Sequence, residues 1–143
     1  MTLKYVQSLM KQNYEAVGFL PMPVVEKYLA ANQLWFQYEN NEPCGYLIFG
    51  NGYPVCKVYQ CCIQTDARRQ NAASLLIRAL IDRCNHHGFS SISLWCAEDL
   101  ESNMFWQSMG FLKNGTRQGG RHRQRVHNHW VLKLTDSNQL HLF

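Results

Sequence analysis

A change of hydrophobic period in the middle of the chain constrains the fold more than any other feature. Residues 55–64 (VCKVYQCCIQ) form an apolar run that predicts a buried strand. The next stretch carries its apolar residues at helical spacing: Leu75, Leu76, Ala79, Leu80 and Cys84. Residues 91–96 (SISLWC) then return to a strand pattern. A strand, a helix and a second strand in this order predict a crossover connection within one sheet.

The flanking segments predict the remaining elements. Helical spacing indicates helices over residues 2–12, about 24–32 and 99–109, the last capped by Asp99 and stopped by Gly110. Further strands are predicted over residues 33–39, 44–49, 111–114 and 126–134, with a turn over residues 40–43 joining the first two. The resulting order, α-α-β-β-β-α-β-α-β-β, predicts a mixed α/β fold with antiparallel hairpins.

Composition narrows the class of protein. The chain has 143 residues, 46% hydrophobic and 17% charged, which fits a single domain over residues 1–143. No apolar stretch approaches the roughly 20 residues of a membrane span, and the N-terminus does not resemble a signal peptide. We therefore expect a cytoplasmic protein that contacts no membrane. The six cysteines include no C-x-x-C pair, so we expect buried thiols and no metal site.

The net charge of +4 is concentrated in one place. Four arginines stand in the predicted loop before the last strand: Arg117, Arg121, Arg123 and Arg125. Such a cluster attracts anions, whether an acidic small molecule, an acidic protein surface or nucleic acid. No aromatic residue lies between Phe111 and Trp130, which argues against binding of single-stranded nucleic acid. The four tryptophans are interpreted as core residues.

The loop before the long helix predicts an anion site. Small residues at the start of a helix let an anion approach its unpaired backbone N–H groups. Residues 65–73 (TDARRQNAA) provide two arginines and, where the helix is predicted to start, the small residues Ala72 and Ala73. The spacing of this loop, and the later segment Asp99–Phe111 (DLESNMFWQSMGF), resemble the two motifs of the GNAT superfamily of acetyl-CoA-dependent N-acetyltransferases, with similarity to a phage and bacterial branch.

The resemblance implies a fold, a cofactor and contacts. The fold would be a mostly antiparallel sheet flanked by helices, with a V-shaped split between the family's fourth and fifth strands. Acetyl-CoA would lie along the strand, loop and helix start, with its acetyl group beside Tyr59–Cys61. The contacts implied for it there are Cys62, Ile63, Gln64, Arg68, Arg69, Gln70, Asn71, Ala72, Ala73 and Ser74. The second motif would add Asp99, Ser102 and Phe105.

Two departures from the family pattern bear on catalysis. Trp106 stands where the family often has a tyrosine that protonates the leaving thiolate, and indole does not ionise usefully. Gln70 replaces a glycine of the first motif, which reduces backbone freedom. Gln60 could orient an amine without taking its proton. Glu98 is the nearest candidate base, although it could equally be a solvated charge.

The resemblance implies transfer of an acetyl group to a primary amine by direct attack in a ternary complex. Small amines, peptide N-termini, lysine side chains and aminoacyl groups all stay open as acceptors, and the arginine cluster favours anionic ones. A homodimer is also compatible with the resemblance. Two other functions remain: a non-catalytic module that binds an acidic or nucleic-acid partner through the arginines, and a degenerate homologue that has lost its cofactor, as Gln70 and Trp106 suggest.

Overall fold

The computed structural model describes residues 2–67, 71–119 and 125–134. Its elements, in chain order, are α1 (Thr2–Gln12), α2 (Tyr14–Val17), α3 (Met22–Ala30), β1 (Leu34–Glu39), β2 (Glu42–Phe49), β3 (Val55–Ile63), α4 (Ala72–His86), β4 (Ser91–Ala97), α5 (Ser102–Ser108), β5 (Leu112–Gly119) and β6 (Arg125–Lys133). The predicted order is confirmed, with the four-residue helix α2 as an addition. No helix within the described ranges is long and apolar enough to cross a membrane.

Six strands form one sheet in the order β1-β2-β3-β4-β6-β5. All neighbours pair antiparallel except β3 and β4, which pair in parallel where Val55–Lys57 lies beside Ser91–Ser93. Helix α4 is the connection between these parallel strands, so the predicted crossover and the mixed α/β class are confirmed. The first hairpin turns on Asn40 and Asn41, both at positive φ, and Glu42 already pairs with Glu39. The turn is therefore shorter than predicted.

The chain divides into two compact units, and β3 and α4 contribute to both. The first unit comprises Met1–Asn51 and Val58–Leu80, and the second comprises Gly52–Lys57 and Ile81–Phe143. In the first unit, α1 and α3 pack on one face of β1–β3. The core there consists of buried side chains from these elements: Val6, Leu9, Met10, Val25, Leu34, Tyr46, Ile48 and Cys62.

The second unit is held together by α5 against β4 and β6. Asn103 of α5 donates to the carbonyls of Ala97 and Leu100, both at 2.8 Å. Its Oδ1 accepts from Trp130 Nε1 at 2.8 Å and from Asn128 Nδ2 at 3.1 Å. One side chain thus joins the β4–α5 connection to β6. Helix α5 stops at Gly110, whose φ of 94° suits glycine, as predicted.

Two predictions about this unit are wrong. Strand β5 runs to Gly119, so Arg117 lies on a strand opposite His127, and Arg125 begins β6. Pairing with β6 supplies the hydrogen bonds that hold this polar segment extended, which its own composition does not indicate. Asp99 is not the N-cap of α5, which begins three residues later with Glu101 as its N-cap and no side-chain capping bond. Arg121 and Arg123 fall outside the described residues.

Candidate functional site

A β-bulge interrupts the pairing of β3 with β2 at Tyr59. Gln60 pairs with Ile48 and Val58 pairs with Phe49, so Tyr59 is an extra residue without a partner on β2. Paired residues of two antiparallel strands point to the same face of the sheet, and the neighbours Ile48 and Phe49 point to opposite faces. Gln60 and Val58, their partners, therefore also lie on opposite faces. Bulges free backbone groups from the ladder and re-aim side chains, and they are frequent beside active sites. This bulge lies where the resemblance places the acetyl group.

The two residues at the bulge, Tyr59 and Gln60, both turn toward the helices of the first unit. The Tyr59 ring lies 5.6 Å from the Tyr28 ring of α3. Gln60 Nε2 donates to the carbonyls of Val17 and Gly18 at 3.1 and 3.4 Å. Successive side chains of a regular strand alternate between faces, so the bulge is what brings these two polar residues to the same side.

The Gln60 amide is engaged entirely within the first unit. The side chain is 3% exposed, and its Oε1 accepts from the Tyr46 hydroxyl at 2.9 Å. Burial, followed by the nearby Cys62 and Cys61 thiols, raises the pKa of Tyr46 far above its usual range, so this hydroxyl stays a donor. The sequence predicts that Gln60 orients the acceptor amine, whereas the structure places its amide between β2 and the C-terminal end of α2.

The Cys61 thiol lies next to the bulge, and its surroundings favour the protonated form. Burial, with a smaller contribution from Cys62, raises the pKa of Cys61 to about 12. Only the thiolate is a good nucleophile, so Cys61 is a poor candidate for a covalent acyl intermediate near neutral pH. The Sγ of Cys62 points the other way and lies 3.9 Å from the Leu9 carbonyl. All six cysteines are free, and every one except the half-buried Cys61 is buried, as the sequence predicts.

The end of β3 leads into the start of α4 through a short loop. The backbone N–H of Gln64 donates to the Cys44 carbonyl at 2.8 Å, which fixes the strand end. Asn71 adopts a φ of 63° and its carbonyl accepts from Leu75, so the helical residues begin at Ala72 rather than at Gln70. Of the small residues there, Ala72 is 4% exposed and faces the interior.

The next two small residues of α4, Ala73 and Ser74, are half-buried and leave the first turn accessible from outside. An open cleft of about 350 Å³ lies at the same strand end, lined by Gln12, Gln64, Thr65 and Asp66. Arg68, Arg69 and Gln70 lie outside the described residues. The local geometry therefore pairs a strand end with an approachable helix N-terminus, as the sequence predicts for this segment.

The second unit holds the remaining candidate residues. Trp106 is 6% exposed and packs its indole against Phe105 and Phe111, with ring centroids 4.9 and 5.3 Å apart. Ser102 Oγ lies 3.2 Å from Cys96 Sγ. Glu98 is exposed, and its backbone N–H donates to the Val126 carbonyl at 2.9 Å.

The carboxylate of Asp99, expected to cap α5 or to meet the cofactor, accepts from Arg125 at 3.3 Å. Arg125, one of the four arginines of the predicted cluster, is therefore paired with an acid that lies 26 residues earlier in the chain. This pairing replaces the capping role, and the Asp99 side chain is held to β6 instead.

An aromatic stack on the sheet of the second unit was not predicted. Trp95 is 38% exposed rather than a core residue, and its ring stacks on His129 of β6 at 4.4 Å. The guanidinium of Arg117 lies 3.9 Å from the Trp95 ring. Among the described residues, Arg117 has no ion pair. Arg117 and His129 lie 22 and 34 residues after Trp95 in the chain, so no local sequence pattern predicts this contact.

Within the described ranges, no three His, Cys, Asp or Glu side chains gather as metal ligands.

Comparison with known protein families gives a match. The sequence model of the acetyltransferase (GNAT) family matches residues 3–111 of the chain. No curated protein matches the chain.

Solved structures share the fold at low sequence identity. A ribosomal-protein-alanine N-acetyltransferase from Brucella melitensis is 14% identical, with a TM-score of 0.76 over 92% of this chain and 94% of that one. The ribosomal-protein-S18-alanine N-acetyltransferase from Escherichia coli is 15% identical, with a TM-score of 0.71 over 93% and 88%. A chain of the NatC complex bound to Gag peptide and CoA is 14% identical, with a TM-score of 0.78 over 93% and 91%.

Proposed function

The chain belongs to the acetyltransferase (GNAT) family, and we propose that it transfers the acetyl group of acetyl-CoA to a primary amine by direct attack in a ternary complex. The bulge at Tyr59 is the observation that carries this proposal. It leaves backbone groups of β3 outside the ladder, and such groups can polarise a thioester carbonyl. The protonated state of Cys61 favours direct attack over an acyl-cysteine intermediate.

The residues that would hold acetyl-CoA follow the sequence expectation. Backbone groups of Cys62, Ile63 and Gln64 would bond the pantetheine arm, and the amides of Asn71–Ser74 would receive the diphosphate. The small, half-buried side chains of Ala73 and Ser74 fit an anion at the first turn of a 15-residue helix. Arg68, Arg69 and Gln70 complete the proposed loop.

For the second unit, we propose Ser102, Phe105 and Asp99 as further cofactor contacts and Glu98 as the base. Glu98 is an exposed carboxylate whose backbone is fixed by β6. Trp106 would shape the site without supplying a proton. Gln60 would act as a positioning residue, because its amide is already bonded to Tyr46 and to the carbonyls of Val17 and Gly18 at the end of α2.

We also propose that the acceptor carries an acidic group. Arg125 is neutralised by Asp99, but Arg117 is held on the Trp95 ring as an exposed cation without an ion pair among the described residues. A fixed guanidinium recognises carboxylates well because it loses little freedom on binding. Acidic peptides and acidic amino acids are therefore the expected acceptors, and polyamines the poor ones.

Calorimetry with acetyl-CoA and a panel of amines, followed by mass spectrometry of the products, tests these proposals. We expect acetyl-CoA to bind and acidic acceptors to be preferred, with the preference weakening at high salt because exposed charges are screened. Arg117→Ala should raise KM for acidic acceptors by about twofold to fivefold, as expected for the loss of an ion pair at an exposed guanidinium. The exposed Arg78→Ala on α4 serves as the matched control.

The outcomes separate the alternatives. Absence of acetyl-CoA binding would favour a degenerate homologue. Binding without transfer to any amine would favour a non-catalytic module. Transfer that prefers spermidine, or an Arg117→Ala enzyme that matches wild type on acidic acceptors, would contradict the acidic-acceptor proposal alone.

A further inference from the structure

An unpaired side-chain nitrogen lies on the sheet of the second unit, on the face opposite to helix α5. Asn103 of α5 bonds to Asn128 and Trp130 of β6, so the alternate residues His127 and His129 point to the other face. The Nδ1 atom of His127 is buried there and has no hydrogen-bond partner among the described residues. Buried polar atoms are nearly always paired in native structures, so this atom points to a partner from outside the chain.

Gly119 of β5 leaves a notch beside this nitrogen, which is the space that a Cβ atom would fill. A Cβ atom placed on Gly119 would lie 3.5 Å from His127 Nδ1 and 3.9 Å from Arg117 Nε. Arg117 and His127 are direct partners in the register of β5 with β6, so they share a face of the sheet. Two nitrogen atoms from neighbouring strands therefore flank one small space.

The chemistry of these two nitrogens selects an oxyanion. The Arg117 guanidinium lies 3.9 Å from the Trp95 ring and has no ion pair in the described part of the chain, so it supplies a fixed positive charge. A neutral imidazole carries one N–H, and its hydrogen-bond partner sets which nitrogen holds the proton. We propose, resting on the function proposed above, that His127 Nδ1 and Arg117 hold one carboxylate group of the acceptor in the notch at Gly119.

The charge balance favours a carboxylate over a phosphate group. A phosphate monoester carries close to two negative charges at neutral pH, and the guanidinium of Arg117 balances one. Arg125, the other described arginine of the cluster, is already paired with Asp99. The notch also demands more than charge, because a cation attracts anions over about 10 Å, whereas an oxygen atom reaches His127 Nδ1 only where Gly119 has no side chain.

Gly119→Ala separates such a subsite from general electrostatic attraction. The added methyl group would meet its neighbours at ordinary contact distances, so it should fill the notch and leave both nitrogens in place. The probes are glycyl-glutamate amide and glycyl-glutamine amide, which differ only in the carboxylate, titrated by calorimetry with CoA present. We expect wild type to bind the glutamate probe about tenfold more tightly, and Gly119→Ala to reduce this ratio to about twofold. Gly52→Ala, at an exposed glycine with nothing within 4 Å of the added Cβ, is the matched control.

Substitutions at His127 test which of its nitrogens binds the carboxylate. His127→Asn places an amide nitrogen on Cγ, the atom that carries Nδ1 in histidine, whereas His127→Gln places it one bond further out. We expect His127→Asn to keep most of the glutamate preference and His127→Gln to lower it about threefold to tenfold, as for a lost hydrogen bond. Nitrogen-15 NMR of wild type with the glutamate probe should show His127 with its proton on Nδ1, and the exposed His87 should not respond.

The outcomes distinguish the subsite from the proposed function. If wild type shows no preference for the glutamate probe, or if a folded Gly119→Ala keeps the wild-type ratio, the subsite is wrong, while acetyl transfer to amines is unaffected. If circular dichroism shows that Gly119→Ala is unfolded, equal ratios in His127→Asn and His127→Gln overturn the role of His127. Tighter binding of glycyl-phosphoserine amide than of the glutamate probe would overturn the choice of a carboxylate. If CoA does not bind, the proposed function fails, and the same titrations without CoA still decide the subsite.

Discussion

The pair formed by Tyr46 and Gln60 offers the sharpest test of how the bulge is supported. Tyr46 is fully buried and Gln60 is 3% exposed, and the Tyr46 hydroxyl donates to Gln60 Oε1 at 2.9 Å. In Gln60→Leu the hydroxyl loses its acceptor, and the carbonyls of Val17 and Gly18 lose their donor. In Tyr46→Phe the amide oxygen is left without a partner. Each change leaves a polar atom unsatisfied in the core.

The expected changes in the free energy of unfolding follow from the burial of these two side chains. A buried polar atom left unpaired costs about 2 kcal/mol, and the weaker bonds to the two partly exposed carbonyls add about 1 kcal/mol. We therefore expect Gln60→Leu to lower the free energy of unfolding by about 3 kcal/mol and Tyr46→Phe by about 2 kcal/mol. The double variant has neither orphan and loses only the bonds to the two carbonyls, so it should lose about 1 kcal/mol, which gives a coupling energy of about 4 kcal/mol.

Urea unfolding followed by tryptophan fluorescence measures these values, with equal m-values as the condition for comparing them. Gln7→Leu, at an exposed position of α1, is the control and should change stability little. A coupling energy below about 0.5 kcal/mol, which is the usual error of additivity, would refute the hydrogen bond as a determinant of stability. It would also mean that the Gln60 amide is available to bind the acceptor amine.

Three further predictions address the cofactor loop, the thiols and the second unit. Ala73→Glu should weaken acetyl-CoA binding by about 5- to 20-fold relative to Ala73→Gln, because a carboxylate there repels the diphosphate; equal affinities by calorimetry would contradict the anion site. With its pKa raised to about 12, Cys61 should be alkylated by iodoacetamide at pH 8 about a thousandfold more slowly than an unperturbed thiol, and faster as the pH rises; rapid labelling detected by mass spectrometry would show that the thiol is not protonated. Asn103→Leu should cost about 3 kcal/mol in urea unfolding, because Trp130 Nε1 and Asn128 Nδ2 lose their acceptor; an unchanged midpoint would refute this.

Elements with a strong apolar period could be predicted from the sequence. Helix α1 ends where predicted, and α4 buries Leu76, Leu80 and Cys84 of its predicted apolar face, whereas Leu75 and Ala79 are exposed and Ile77 is buried. Strand β5 could not be predicted to its full length, because the segment after Leu112 is polar and contains Gly115 at positive φ. Its extended form comes from pairing with β6, which is a tertiary effect that overrides weak local propensity.

The candidate site also contains some features that local sequence predicts and others that it does not. The loop and helix start near Ala73 follow from local sequence, because small residues and a strand–helix junction are visible there. The environment of Gln60 does not follow from local sequence, because its hydrogen-bond partners lie 14, 42 and 43 residues away in the chain. Asp99 looked like a helix cap, but Arg125, 26 residues later, takes its carboxylate. The bulge cannot be predicted from the local sequence either, because β3 reads as a largely apolar run whether or not it contains an extra residue.

The register around Tyr59 has a consequence for insertions and deletions in β3. Val58 and Gln60 pair with the consecutive residues Phe49 and Ile48, so they already face opposite sides. Deleting Tyr59 would make them adjacent, restore regular alternation and turn no neighbour to the wrong face. Deleting a residue away from the bulge would instead invert part of the strand. The bulge is therefore the place in the paired segment where β3 tolerates the loss of one residue without a change in its pattern of faces.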